Sequence, residues 1–234
     1  MKSGIVGKGY WGKVIMSKLE DCETEPPFDN AEWIFIATPP NHHYEYAKKY
    51  LLDGKNVFCE KPLSTSLEEA KELIEISRKT GKMLYVDNIF LLRDELKELE
   101  KIKPTRIKST WKKYGPFNDS LFNDLLYHDL YIIGSILGEN EIQNIKFIKN
   151  DSMSLYVDYL YGNTQVEIRY DRNYKGEKIK IIDWDDGSLD LSKPKNDPLS
   201  ESIEKCFMKE IDYQRNHELS IRTIQQLNMF LKNP

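Results

Sequence analysis

The chain has 234 residues, 40% apolar, 31% charged and 12% aromatic, with a formal net charge of -4. That length gives one large domain or two small ones real cores, and lysines interspersed with Glu and Asp exclude a surface built for nucleic acid or an anionic membrane. There is no membrane-length apolar run and no charged-then-apolar leader, and Cys22, Cys59 and Cys206 lack metal spacing, so they read as reduced thiols of a cytoplasmic protein without a metal site.

Gly4-Ile5-Val6 reads as a short strand, followed by Gly7-Lys8-Gly9-Tyr10-Trp11-Gly12 and a helix over Lys13 to Leu19. In a G-x-G-x-x-G turn Gly7 makes the tight bend, Gly9 lets a pyrophosphate approach the backbone, and Gly12 lets helix and strand pack closely. The helix N-terminus then faces the negative charge. A dinucleotide fold needs a second strand ending in Asp or Glu about 20 residues further on. Here Glu20 to Asn30 is acidic and proline-containing, without an apolar run, and the next strand, Trp33 to Ala37, follows almost at once. There is no room for the usual second strand, second helix and third strand. Asp21, Glu23 or Asp29 can bond a ribose from a loop; a solvated acidic loop is the other reading.

Next come Thr38-Pro39-Pro40-Asn41-His42-His43 and a helix from Tyr44 to Leu52, stopped at Gly54. Val57-Phe58-Cys59 reads as a buried strand ending in Glu60-Lys61-Pro62. A Lys in that position can hold a substrate hydroxyl and, with its pKa lowered by burial, share its proton; an ordinary exposed strand end is the alternative. A helix from Leu67 to Thr80 follows, with Leu67, Ala70, Leu73, Ile74 and Ser77 on one stripe, Ser and Thr caps before it and Gly81 after it. Met83 to Val86 is a further strand. Strand and helix alternate, which predicts a parallel sheet.

Three motifs stand in order: Gly-x-Gly-x-x-Gly, Ala-Thr-Pro-Pro-x-x-His-x-x-x-Ala (Ala37 to Ala47) and Gly-Lys-x-Val-x-x-Glu-Lys-Pro-Leu (Gly54 to Leu63). They resemble the Gfo/Idh/MocA oxidoreductases, nicotinamide-dependent enzymes acting mostly on sugars and cyclitols. The resemblance implies NAD or NADP as cofactor and a catalytic Lys61. It makes Gly7, Gly9, Tyr10, Trp11, Gly12, Thr38, Pro39, Pro40, His43, Glu60 and Lys61 the cofactor-binding candidates. His43 matches the motif's His, although a His at a helix start also packs on its neighbours; His42 matches nothing.

Arg93 to Lys101 reads as a helix with Leu96 and Leu99 inward, and the domain boundary falls there, giving domains 1–92 and 93–234. Beyond it, Arg106 to Lys112, Ile142 to Lys149, Tyr156 to Tyr161, Gln165 to Arg169, Lys178 to Ile182 and Ser188 to Leu191 read as strands, the last four as an antiparallel meander. Phe122 to Leu137, ended by Gly138, reads as a helix with Leu125, Leu126, Ile133 and Leu137 inward. Asp124 and His128 stand i, i+4 on it. A carboxylate one turn away orients an imidazole and raises its basicity, as a general base needs; a surface cap pair is the alternative. The family carries Asp-x-x-x-His here, and Asn-Asp-Leu-x-x-His-Asp-Leu-x-Ile resembles its sugar- and nucleotide-sugar-oxidising branch. Trp111-Lys112-Lys113-Tyr114-Gly115 falls where that branch has a basic segment; Lys112 and Lys113 contact substrate or are solvated strand ends. Helices at Ser202 to Tyr213 and Glu218 to Leu231 match the family's closing pair, with Tyr213, Arg215 and His217 as structural residues between them.

The expected fold is α/β: a shortened Rossmann-type parallel sheet, then an α+β domain with an open, mainly antiparallel sheet covered by helices on one face. An uncovered face predicts a homodimer or homotetramer. The expected function is hydride transfer between NAD or NADP and a secondary alcohol or ketone of a sugar or nucleotide sugar, with Lys61, His128 and Asp124 catalytic and no nucleic acid or membrane partner. The alternatives are a non-redox sugar-binding or scaffold protein that has lost the dinucleotide, and a protein that cycles a permanently buried cofactor.

Overall fold

The computed structural model of the chain describes residues 1–114 and 120–232; Gly115 of the basic segment lies outside them. The first elements alternate: β1 (Ser3–Val6), α1 (Tyr10–Met16), β2 (Cys22–Glu23), β3 (Trp33–Ile36), α2 (His43–Leu52), β4 (Asn56–Glu60), α3 (Leu67–Thr80) and β5 (Leu84–Asp87). Then come β6 (Arg106–Lys112), α4 (Tyr127–Leu137), β7 (Ile142–Asn150), β8 (Ser154–Tyr161), β9 (Thr164–Asp171), β10 (Ile179–Trp184), β11 (Gly187–Asp190), α5 (Pro198–Met208) and α6 (Tyr213–Lys232). The chain divides into two compact units, 1–92 with 197–224 and 93–196 with 225–234. The closing helices, expected with the second domain, therefore contribute largely to the first. Among the described residues no helix is long and apolar enough to cross a membrane.

The first unit holds a parallel sheet in the order β2-β1-β3-β4-β5. The interval that lacks an apolar run does form a strand, but of two residues: Ser3 pairs with Cys22 and Gly4 with Glu23. Backbone pairing to β1 alone suffices there, which is why no hydrophobic signal marks it. The register sets Ile5, Phe35, Phe58 and Tyr85 side by side across four strands. Phe35 and Phe58 have ring centroids 4.9 Å apart, and Phe58 and Tyr85 5.0 Å apart. Ile15 of α1 and Leu199, Ile203 and Cys206 of α5 complete this core. Helix α2 packs against β3 and β4, and α3 packs beside α2.

Helix α3 starts where Ser66 Oγ accepts the Glu69 backbone N–H at 3.3 Å and stops at Gly81, whose φ of +67° suits glycine. Its buried Ala70, Leu73, Ile74 and Ser77 follow the predicted stripe. The free edge of β5 is satisfied by α6: Asn216 Nδ2 donates to Val86 O at 2.9 Å, its Oδ1 accepts the Val86 N–H at 3.0 Å, and His217 Nε2 donates to Leu84 O at 2.6 Å. Tyr213, Arg215 and His217 thus lie on a helix rather than in a connection.

In the second unit, Asp94–Lys101 is a 3-10 rather than an α-helix, with Leu96 and Leu99 buried as expected. The sheet order is β11-β10-β6-β9-β8-β7. β6 runs parallel to β9 and antiparallel to β10, so it separates β9 from β10 and breaks the expected meander into two hairpins. Its alternation is clean. Ile107, Ser109 and Trp111 of β6 and Val166, Ile168 and Tyr170 of β9 are buried, and the other face carries ion pairs such as Arg169–Asp158 at 2.7 Å and Arg106–Glu167 at 2.5 Å.

Replacing Phe58 by Ala removes the centre of the aromatic row and is expected to cost about 3–5 kcal/mol. Urea unfolding of Phe58→Ala against wild type measures it.

Candidate active site

The phosphate loop follows β1. Gly7 has a φ of +111°, and a Cβ there would lie 2.4 Å from the Ala37 carbonyl oxygen; a Cβ on Gly12 would lie 2.0 Å from the Gly7 carbonyl oxygen. Both positions admit only glycine because loop, helix and β3 approach so closely. Gly9, by contrast, has open space where its Cβ would be. Tyr10 and Trp11, beside it, are 76% and 46% exposed, with their rings edge to face at 5.5 Å. Lys8 of the same loop is ion-paired with Glu25. Glu23, at the end of β2, is half-buried; its only sequence signal was an acidic residue in an interval read as loop.

The segments after β3 and β4 end at the same edge of the sheet as this loop, because β1, β3 and β4 are parallel neighbours. His43 ties the two segments together. It is buried, with Nδ1 2.7 Å from Pro62 O and Nε2 2.8 Å from Thr38 O. A neutral imidazole donates to only one of these carbonyls, so the pair of contacts favours the protonated ring, while burial favours the neutral one. Burial prevails and holds the pKa below its usual value. Pro39 is exposed and Pro40 half-buried, and the Thr38 Oγ1 is buried without a partner among the described residues. His42 is exposed.

Glu60 and Lys61 are half-buried at the C-terminal end of β4. Burial raises the Glu60 carboxyl to about 7, against the pull of the Lys61 charge and backbone N–H. Asp87 stands directly across from Glu60 on β5. It is 1% exposed, and burial, with Glu60 adding to it, raises its pKa well above the usual carboxylate range.

In the second unit, Asp124 lies in a π-helical turn, Phe122–Leu126, immediately before α4. Such turns widen the helical repeat and recur at functional sites. The spacing argument for an Asp124–His128 pair assumed a regular α-helix. Here Asp124 accepts from Arg172 Nη2 at 2.8 Å and lies 3.7 Å from Lys113, while His128 Nδ1 is 2.8 Å from the Tyr131 hydroxyl. Tyr131, one turn forward on the helix, is thus a partner of Nδ1, and Asp124 is paired with cations that directly follow β9 and β6. His128 is buried between Tyr131, with ring centroids 5.5 Å apart, and Trp111, 5.7 Å away.

Behind Trp111 is a buried charge cluster that sequence patterning missed. Register places Tyr170, Trp111 and Lys180 in one row on the buried face. The Lys180 ammonium lies 4.5 Å from the Trp111 ring centroid, donates to Ser109 Oγ at 2.9 Å and is ion-paired with Asp129, the residue after His128. Asp129 also accepts from Ser109 Oγ at 2.7 Å and from the Tyr170 hydroxyl. Lys180 and Asp129 are both fully buried. Burial pulls the Lys180 pKa down while Asp129 acts against it, and burial beside Asp129 pushes the Tyr170 hydroxyl well up. A lysine inside the apolar run Ile179 to Ile182 was the available signal.

Residues 10–88 match the model of an oxidoreductase family with an NAD-binding Rossmann fold, Gfo/Idh/MocA. An uncharacterized oxidoreductase of Schizosaccharomyces pombe is 44% identical over 72 residues, 31% of this chain and 19% of that protein. Human biliverdin reductase A is 34% identical over 98 residues, 42% and 33% of the two chains, and YhhX of Escherichia coli is 24% identical over 186 residues, 71% and 53%. The chain thus spans between a fifth and a half of the length of these curated relatives. Among solved structures, UDP-N-acetylglucosamine 3-dehydrogenase GnnA from Acidithiobacillus ferrooxidans aligns with a TM-score of 0.82 at 16% identity, covering 98% of this chain and 96% of that one. The WlbA dehydrogenase of Thermus thermophilus, in complex with NAD and UDP-GlcNAcA, aligns with a TM-score of 0.80 at 15% identity, covering 100% and 87%. At these identities the likeness is one of fold.

Removing one partner of the buried pair leaves an uncompensated charge. Asp129→Asn is expected to lose about 3–5 kcal/mol, read by chemical denaturation, and Asp129→Asn with Lys180→Met to recover part of that loss.

Proposed function

We propose that the protein is an NAD(P)-dependent dehydrogenase acting on a secondary alcohol of a sugar or nucleotide sugar. The observation that carries this reading is the convergence of the glycine loop, the Thr38–Pro40 segment and Glu60–Lys61 at the C-terminal edge of one parallel sheet. In open α/β sheets ligands bind there, where the strand order reverses, here between β1 and β3. The residues fit a dinucleotide: Gly9 leaves the backbone open, Thr38 Oγ1 is buried without a partner among the described residues, and two aromatic rings stand exposed beside the loop.

A bound nicotinamide supplies the hydride acceptor. Lys61 holds the substrate hydroxyl and stabilises its alkoxide character. His128, held by Tyr131 with Asp124 on the preceding turn, takes the hydroxyl proton. Glu23 sits at the strand end where a carboxylate bonds a ribose 2′-hydroxyl, and the loop's cation, Lys8, is engaged by Glu25. This arrangement favours NAD over NADP, whose 2′-phosphate would meet Glu23. GnnA and WlbA, the nucleotide-sugar dehydrogenases of like fold, support the substrate class. The same reading makes the protein a homodimer or homotetramer through the uncovered face of the second sheet.

Titration with NADH, followed by nicotinamide fluorescence, is expected to saturate, and Gly9→Glu to abolish binding. No binding at millimolar NADH by folded protein that retains no nucleotide would favour a non-redox sugar-binding role. NADPH is expected to bind at least about tenfold more weakly, one tenfold step being about 1.4 kcal/mol, and Glu23→Ala to narrow the gap. In a screen of sugars and nucleotide sugars, Lys61→Ala and His128→Ala are each expected to lower kcat about 10²–10⁴-fold. Unchanged turnover in both variants refutes the assignment.

A further inference from the structure

The aromatic row of the first sheet ends in acid. Two residues beyond Phe58 and Tyr85, on the same face, the register pairs Glu60 with Asp87. Side chains directly opposite on neighbouring strands are in contact range, and like charges there repel. Asp87 is 1% exposed, and its Oδ1 is buried with no hydrogen-bond partner among the described residues. A buried ionised oxygen without a donor is among the costliest groups a fold can hold.

Among the charged and titratable groups around the pair, Lys61 favours the ionised form of Glu60 but does not outweigh burial. Lys61 is beside Glu60, and its backbone N–H and charge both act on the Glu60 carboxyl. The neighbouring thiols are buried: Cys59 precedes Glu60 in β4, and Cys206 of α5 faces Asp87 and is hydrogen-bonded to Tyr213 of α6. On the α2 side, His43 faces Lys61 with both ring nitrogens already directed at backbone carbonyls. One proton between the two carboxyls supplies the missing donor and removes the repulsion.

We propose that Glu60 and Asp87 share one proton at neutral pH, and that the single negative charge left on the pair is the counter-charge that positions the Lys61 ammonium. Asp87 is thereby a positioning residue for Lys61, one that the Glu-Lys-Pro motif does not contain. The proposal rests on the dehydrogenase reading only for its catalytic consequence. A second proton removes the counter-charge, so turnover falls as pH drops through the neutral step. Burial raises both carboxyls above their unfolded values, so the folded protein holds more protons than the unfolded chain at neutral pH. Stability is therefore greatest in mild acid and declines as pH rises through about 7.

The test uses the full chain without ligand. Carboxyl-labelled ¹³C NMR is expected to show an Asp or Glu resonance titrating near neutral pH, assigned by its loss in Asp87→Asn and Glu60→Gln. The Lys61 side-chain resonance, assigned with Lys61→Arg, follows the same step, and in Asp87→Asn that step moves down by a pH unit or more. If every carboxyl is ionised by pH 6, or if the Lys61 signal ignores the step, the proposal is overturned, whether or not a substrate is known. The decline in Tm between pH 5 and 8 becomes shallower in Asp87→Asn. Once turnover is in hand, the acid limb of kcat shifts down with Asp87→Asn, whereas a merely structural Asp87 would lower kcat without moving it.

Discussion

A parallel sheet has to be buried on both faces, since its strands have no solvent side. This requirement shapes the first unit. Between α1 and β3 the chain supplies only the two-residue β2 and no helix, so helices α1, α2 and α3 alone do not cover the sheet. The missing cover comes from residues 197–224, whose Leu199, Ile203 and Cys206 lie on the row Ile5, Phe35, Phe58, Tyr85. The same segment sends Asn216 and His217 to the open edge of β5. An economy between α1 and β3 is balanced by a segment that follows the second sheet.

Covering that face also defines the environment of the Glu-Lys-Pro end of β4. Glu60 and Asp87 stand on the face that α5 covers, so they are desolvated by the packing that protects Phe58 and Tyr85. The segments that follow β3 and β4 are pinned by His43, which spans the carbonyls of Thr38 and Pro62. Fold and candidate chemistry are therefore set by the same contacts.

Much of the architecture was legible because it rests on local rules. The stripe and caps of α3, the turn glycines and the strand positions follow from periodicity and turn chemistry, and the order of three motifs carried the resemblance to an oxidoreductase family. What escaped has a common cause: it depends on partners distant in sequence. β2 is held by backbone pairing with no apolar signature. β6 inserts between β9 and β10, which no hairpin spacing reveals. Phe122–Leu126 makes a π-turn where spacing alone reads a regular α-helix. Lys180, Asp129 and Asp87 are buried charges, and residue types usually found at the surface give no hint of burial until the facing strand or helix is known.

The C-terminal origin of α5 has a consequence for synthesis. While the chain is being made, β1 through β5 emerge early, yet their aromatic face stays exposed until residues near 206 have followed. Domains made from one continuous segment can close as they leave the ribosome, N-terminal first. This one cannot close until the later segment has been made, and a nonsense mutation between β11 and α5 would release a chain whose two sheets are complete but whose first core lacks the cover of Leu199, Ile203 and Cys206.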